Sequence, residues 1–524
     1  MTTTAHSGVN LPTSLSARRI SELVSGISGT GPTVSVIAPF TGSTLANLPT
    51  STEHDVAAAA VRARLAQRSW AARPVAQRSA VLLRLHDLVL SRQSALLDIV
   101  QAETGKARGH AFEEVMDVAV TARYYGRTAG KLLAPQRRAG AIPGLTRTVE
   151  LRHPLGLVGL ITPWNYPLTL GVSDALPALV AGNAVLHKPD THTVLTALLG
   201  RSLAIEAGLP ADLWQVVVGD GPVVGPQLID RVDHISFTGS TAIGRTVAQR
   251  AGERLIGASL ELGGKNAMIV CADADLPRAV AGAVAGSFSS TGQLCVSMER
   301  IYLDATISDE FTRRFVAATR ALTLGADFGD RFQVGSLVSA AQLDRVRAHV
   351  DDAVAAGARV LTGGKHRPDL GPFFFEPTIL ADVPATARCF REETFGPVVA
   401  LASVAGDEAA IAAVNDSRYG LNASVWSRNS ERAVRIAGRL QAGTVNINET
   451  YAAAWGSIDA PMGGWGDSGL GRRHGAEGLL QTTWAQTVAR QRWRPVGEHA
   501  PLTGSRYRAA MTSALRGLKL TGRR

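Results

Sequence analysis

Cysteine is scarce in this chain: three residues in 524, at positions 271, 295 and 389. Three cysteines cannot build a disulfide framework, and no spacing among them suits a zinc site. The composition therefore fits a reducing, cytoplasmic setting, and no metal centre is expected. The N-terminal MTTTAHSGVNLPTSLSARR lacks the apolar core of a signal peptide. No uninterrupted apolar run reaches the roughly 18–20 residues of a membrane span. Internal repeats and long low-complexity segments are also missing. Hydrophobic residues make up 45% and charged residues 19%, which allows a large core and excludes global disorder. At about 150 residues per domain, two to four domains are expected.

Net positive charge is scarce outside one place. The net charge is +10, but residues 485–524 hold nine Lys/Arg and a single acid, Glu498, so +8 of it lies in the tail. The near-neutral body does not suggest a nucleic-acid groove. Most such charge blocks are solvated tails. In this one, Leu515, Leu518 and Leu520 with interleaved cations would also allow a short amphipathic helix.

What is present is alternation. Residues 56–66 and 77–105 have helical patterning, with Gly105 ending the second run. From residue 157 short apolar runs at 157–161, 184–187, 215–218 and 234–237 alternate with helical stretches near 172–181, 193–208, 222–230 and 241–251. Such alternation predicts a parallel, doubly wound sheet. The loops TPWNYP, KPD, GDGPVVG and TGSTAIG would then emerge together at its carboxyl edge, where ligands of open α/β sheets bind. A second α/β stretch begins near 259.

Individually, the candidate residues are ambiguous. GDGPVVG (219–225) is one residue too long for a dinucleotide fingerprint. FTGSTAIG (237–244) could hold a phosphate on exposed N–H groups, or be an ordinary turn. Lys188 could donate to a ribose or phosphate, or be a surface lysine. Glu261, in LELGGK, could be a general base or a paired carboxylate. Cys295, in SFSSTGQLCVSM, could be a small buried hydrophobe or a nucleophile; Gly292 and Gln293 permit an exposed loop around it.

The order of six motifs is more specific. PWN (163–165), KP (188–189), FTGS (237–240), ELGGK (261–265), GQLC (292–295) and ETFGP (393–397) together resemble the aldehyde dehydrogenase superfamily over about residues 35–490. The resemblance implies an α/β fold of two doubly wound Rossmann-like domains with a small β oligomerisation arm. On that pattern residues 1–34 form an N-terminal segment, and 35–140 with 155–258 a dinucleotide-binding domain. Residues 259–445 form a catalytic domain and 446–481 return to the interface. Residues 141–154 and 482–495 are oligomerisation strands of a homodimer or homotetramer, and 496–524 a basic tail.

The resemblance also implies roles. Cys295 attacks an aldehyde carbonyl, the Asn165 amide and the Cys295 N–H form the oxyanion hole, and Glu261 activates the water that releases the acid. Trp164, Asn165, Lys188, Pro189, Asp190, Thr191, Gly239, Ser240, Leu262, Glu393 and Phe395 contact the dinucleotide. Thr191 is small and neutral where NAD-preferring relatives often have an acid, so NADP is expected, with NAD as the alternative; Asp190 is a nearby acid that complicates this. Residues 448–480 are most similar to the second bacterial type of succinate-semialdehyde dehydrogenase. Many such enzymes have an arginine six residues before the cysteine; here that residue is Ser289. Arg123, Arg127, Arg472 and Arg473 could replace it, though surface salt bridging is expected of each. Tyr166 and Trp455 are expected to wall the substrate tunnel, which also suits an aliphatic or aromatic aldehyde. A CoA-acylating enzyme and a non-catalytic binding protein are the other readings. The retained Glu261 motif argues against the first, and the complete Cys295, Glu261 and Asn165 set against the second.

Overall fold

A computed structural model describes residues 11–140, 142 and 145–520. Residues 1–10, 141, 143, 144 and 521–524 belong to the expected N-terminal segment, arm and basic tail, and lie outside the described residues. The apolar runs that follow residue 156 form strands Leu157–Thr162, Ala184–Pro189, Trp214–Val216 and His234–Thr238. They pair in parallel, and Gly257–Glu261 extends the same sheet, with Gly469–Leu470 antiparallel beyond it. Ala184–Pro189 is buried along its whole length, as a strand covered on both faces requires. A second sheet of seven strands has the order Arg359–Thr362, Thr378–Ala381, Val398–Val404, Arg300–Asp304, Ala267–Val270, Asn422–Trp426, Thr444–Ile447. All neighbours are parallel except the first pair. The expected boundaries at 258/259 and 445/446 each cut a strand, because Gly257–Glu261 pairs into the first sheet and Thr444–Ile447 into the second.

Three antiparallel strands, Gln136–Arg138, Thr146–Pro154 and Thr483–Gln491, form a separate ribbon. Thr483–Gln491 is its edge strand, and Trp484 and Val488 on it are exposed. The tail after it includes helix Gly504–Leu520, none of whose residues is fully buried. None of the described helices is long and apolar enough to cross a membrane.

The predicted helix over 77–105 is two helices, Val75–Ser91 and Gln93–Thr104, because Arg92 leaves helical geometry. Gly105 does end the second, in a left-handed conformation that suits glycine. The stretch near 172–181 begins with a π-helical turn, Thr169–Ser173, before helix Ala175–Ala181.

One buried ion pair ties the N-terminal helices to the first sheet's edge. Lys106 and Glu114, 1% and 0% exposed, meet at 2.7 Å. Lys106 Nζ also donates to the Asn165 carbonyl at 2.6 Å, and Glu114 accepts from the Leu168 and Thr169 N–H groups. Removing one partner would leave the other charge buried and alone. Lys106→Met is therefore expected to lose about 3–5 kcal/mol of stability, read as a lower midpoint in urea; an unchanged midpoint contradicts this role.

Candidate functional site

Cys295 follows three consecutive residues in the left-handed region: Ser290 (φ 51°), Thr291 (φ 58°) and Gly292 (φ 69°). Non-glycine residues there are strained, and such strain is characteristic of functional sites. Gly292 is required, since a Cβ would come within 2.1 Å of the Gly396 carbonyl. The loop is not exposed as Gly292 and Gln293 suggested. Both are buried, and Gln293 bonds the Val338 N–H through its side chain at 3.0 Å. Cys295 itself stays partly accessible, whereas Cys271 and Cys389 are buried.

Two carboxamides fix this segment. Asn165 Nδ2 donates to the Gln293 carbonyl at 3.0 Å. Asn266 Nδ2 donates to the carbonyls of Cys295 (2.7 Å) and Ser297 (2.9 Å), and Asn266 Oδ1 accepts from the Asn422 N–H. Each Asn amide has two N–H donors, so Asn165 keeps one beyond Gln293.

Glu261 ends its strand beside this segment. Burial raises its carboxyl to about 8, with Arg473 opposing and Asp174 adding to the rise. Burial pushes the Cys295 thiol up to about 12; Glu393 and Glu261 add to this and Arg473 opposes it. Glu393, also raised by burial to about 8, accepts from the Gly264 N–H at 2.8 Å. Gly263 leaves room for that carboxylate, because a Cβ there would lie 2.5 Å from Glu393 Oε2.

The other candidates lie along the first sheet's carboxyl edge. Lys188 is not a surface lysine: it is 5% exposed, and Nζ bonds only the Pro189 carbonyl, at 3.3 Å, among the described residues. Asp190 is engaged with His192, accepting from its backbone N–H (3.0 Å) and contacting Nδ1 (2.7 Å). Thr191 opens the short turn beside it. Gly239 and Ser240 precede helix Thr241–Glu253, whose first turn has no acid. A Cβ on Gly244 of that helix would lie 2.4 Å from Leu262, so the helix packs closely on it. The Trp164 and Phe395 rings meet edge-on at 5.5 Å and join the two sheets' loops. GDGPVVG instead starts helix Gly221–Ile229, with Asp220 at its N-cap.

Tyr166, Leu170, Leu294, Val296, Leu421, Tyr451 and Met462 cluster with Cys295 and Trp455. Ser289 is buried and contacts the Tyr451 hydroxyl. Of the four candidate arginines, Arg123 and Arg127 are exposed, and Arg472 donates to the Gly464 and Gly471 carbonyls. Arg473, expected at a surface bridge, is instead buried and paired with Asp174 at 2.7 Å. No group of three or more metal-ligating residues occurs among the described residues.

Sequence reading missed Asn266, Lys106, Glu114, Glu113 and Tyr451. Only Asn266 carried a signal, as the residue directly after ELGGK.

The aldehyde dehydrogenase family model matches residues 27–488. The chain belongs to the aldehyde dehydrogenase family. A member from Mycolicibacterium smegmatis, named "Putative succinate-semialdehyde dehydrogenase" with NADP(+), is 50% identical over 92% of this chain and 94% of its own. The 4,4'-diapolycopene aldehyde oxidase of Methylomonas sp is 38% identical over 86% of this chain and 84% of its own. Staphylococcus aureus betaine aldehyde dehydrogenase in complex with NAD+ superposes with TM-score 0.84 at 30% identity, over 89% of this chain and 95% of that one.

Asn266→Ala would strip the Cys295, Ser297 and Asn422 backbone groups of their partner. It is expected to cost at least about 1–3 kcal/mol, measured by urea unfolding; a wild-type midpoint would contradict the clamp.

Proposed function

We propose that the chain oxidises an aldehyde to its carboxylate with NADP, NAD being the alternative. The observation that carries the reading is an accessible thiol clamped between two sheet edges, with an amide donor and a buried carboxyl beside it. The edge fits a dinucleotide. The Gly239–Ser240 turn offers helix N–H groups to a pyrophosphate, and Lys188 is a buried cation with spare donors. Glu393 lies where it can hold a ribose. Asp190 is occupied by His192 and Thr191 is neutral, so neither turns away a 2′-phosphate, and this supports NADP.

Cys295 Sγ attacks the aldehyde carbon, and the oxygen takes the negative charge. The remaining Asn165 amide hydrogen and the Cys295 N–H stabilise that charge where it develops. A dinucleotide held by Lys188, Gly239, Ser240 and Glu393 would supply the hydride acceptor, and the thiohemiacetal carbon, on losing hydride, would become a thioester. Glu261 then takes a proton from water as the water oxygen bonds to the thioester carbon. The C–S bond breaks and Cys295 leaves as thiolate; the carboxylic acid departs and gives its remaining proton to solvent. The Glu261 carboxyl supports water, rather than CoA, as the acceptor.

The relatives' names support succinate semialdehyde as substrate. A second reading, an uncharged aliphatic or aromatic aldehyde, is favoured by the pocket. Glu113 accepts from Tyr166 (2.9 Å) and Tyr451 (2.8 Å), so a carboxylate is already present. Lys106, over the Tyr166 ring at 3.7 Å, is occupied by Glu114. The exposed strand Thr483–Gln491 supports self-association as a homodimer or homotetramer. The near-neutral body and few cysteines support a cytoplasmic enzyme without a nucleic-acid partner.

Absorbance of reduced dinucleotide, with succinate semialdehyde, a short aliphatic aldehyde and benzaldehyde, each with NADP and NAD, tests the reading. Turnover is expected with at least one aldehyde, faster with NADP. Cys295→Ala should abolish it while leaving dinucleotide binding intact, and Asn165→Ala should lower kcat about 10²–10³-fold. No oxidation of any aldehyde, or full activity in Cys295→Ala, overturns it.

A further inference from the structure

A small cavity, about 20 Å³, is lined by Glu261 and shares no lining residue with the aromatic cluster around Cys295. That is room for about one water. Its walls include Glu261, Asp174, Arg473, Ser173, His234 and His474. Several wall atoms are buried without a protein partner among the described residues: Glu261 Oε1, Arg473 Nε, His234 Nε2 and both ring nitrogens of His474. Unpaired buried polar atoms are costly, and their convergence on one cavity marks a built polar site.

Arg473 supplies the cavity's positive charge. Its guanidinium is seated by Asp174 at 2.7 Å, with side chains 10% and 9% exposed. Behind them, Ser173 Oγ donates to Asp117 at 2.6 Å. Burial holds His234 and His474 well below the usual histidine range, so both are neutral. The charged or titratable groups facing Glu261 are thus Arg473, Asp174 and Arg472, with Cys295 on the pocket side and Asp117 and Tyr125 beyond Asp174.

We propose that Arg473, seated by Asp174 and sharing the cavity with Glu261, is the positioning residue that keeps Glu261 and Cys295 available in their charged forms. The proposal rests on the aldehyde-oxidising reading and adds residues to it. In each cycle Glu261 gains one proton from the attacking water and must lose it before the next. The cavity has room for one water to bridge the unpartnered Arg473 Nε and Glu261 Oε1, and Arg473 favours loss of that proton by stabilising the Glu261 carboxylate. Arg473 itself transfers nothing, since a guanidinium does not deprotonate in this pH range.

Two variants should act in opposite directions. Activity needs ionised Glu261, so kcat falls as pH drops through that group's titration. Arg473→Gln removes the cation and should move this acid limb up by about one pH unit or more; Asp174→Asn removes the opposing anion and should move it down. Arg473→Lys should restore the wild-type profile. A second readout is independent of turnover: the pH dependence of Cys295 alkylation by iodoacetamide, with Cys295→Ala as the blank for the two buried thiols. Arg473→Gln should slow it at neutral pH, and Arg473→Lys should not. Unmoved alkylation in folded, dinucleotide-binding Arg473→Gln overturns the proposal even if no aldehyde is turned over. Shifts of the same sign in Arg473→Gln and Asp174→Asn also overturn it. Loss of all aldehyde oxidation with the alkylation shift intact would instead defeat the functional reading.

Discussion

Two asparagine carboxamides fasten one short segment to two sheets. Asn165, from the loop after a first-sheet strand, holds the Gln293 carbonyl, and Asn266, at the start of the second sheet, holds the carbonyls of Cys295 and Ser297. The strained turn at Ser290–Gly292 persists because these bonds and the close approach of Gly396 leave it no alternative. The thiol is consequently held at the junction while remaining reachable. Buried ion pairs support the same junction from both sides. Lys106 and Glu114 hold the backbone at Asn165–Thr169, and Lys265 and Glu299 hold the Thr394 and Phe395 N–H groups beside Glu393. Replacing either partner would cost more than the pair contributes, because the remaining charge has no water to turn to.

Dry surroundings set the chemistry. Burial raises Glu261 and Glu393 to about 8 and Cys295 to about 12, so in isolation the site favours neutral groups. The proposed reaction requires charge at Cys295, at the carbonyl oxygen and at Glu261. On that proposal, fixed donors and one buried guanidinium stabilise charge at those positions without solvent reorganisation.

The parallel alternation after residue 156 was legible because buried strands and amphipathic helices have different periods, and the predicted strands coincide with first-sheet strands to within a few residues. The motifs around Asn165, Glu261 and Cys295 could be recognised because each is short and local. The exposed loop that Gly292 and Gln293 permitted is instead a buried segment: small and polar residues look alike in a turn and in a buried, hydrogen-bonded segment. Arg92 interrupts a helical pattern whose apolar spacing continues across it. Arg473 looked like a surface cation because its partner, Asp174, lies 299 residues away. Asn266 was overlooked for the same reason, its partners Cys295 and Ser297 lying 29 and 31 residues on. Lys106 and Glu114 are only 8 residues apart, but the backbone groups they hold lie 54 to 59 residues away and leave no periodicity in the sequence.

On the proposed reading, Cys295 bonds covalently to the aldehyde carbon and Glu261 is needed to release it. Mass spectrometry of Glu261→Gln, quenched in acid after mixing with NADP and each aldehyde, tests both together. The account predicts that for a turned-over aldehyde the peptide containing Cys295 gains the mass of the acyl group, and that the wild type shows far less of it. An acyl group on another residue, or none on Glu261→Gln while reduced dinucleotide still forms, would contradict it.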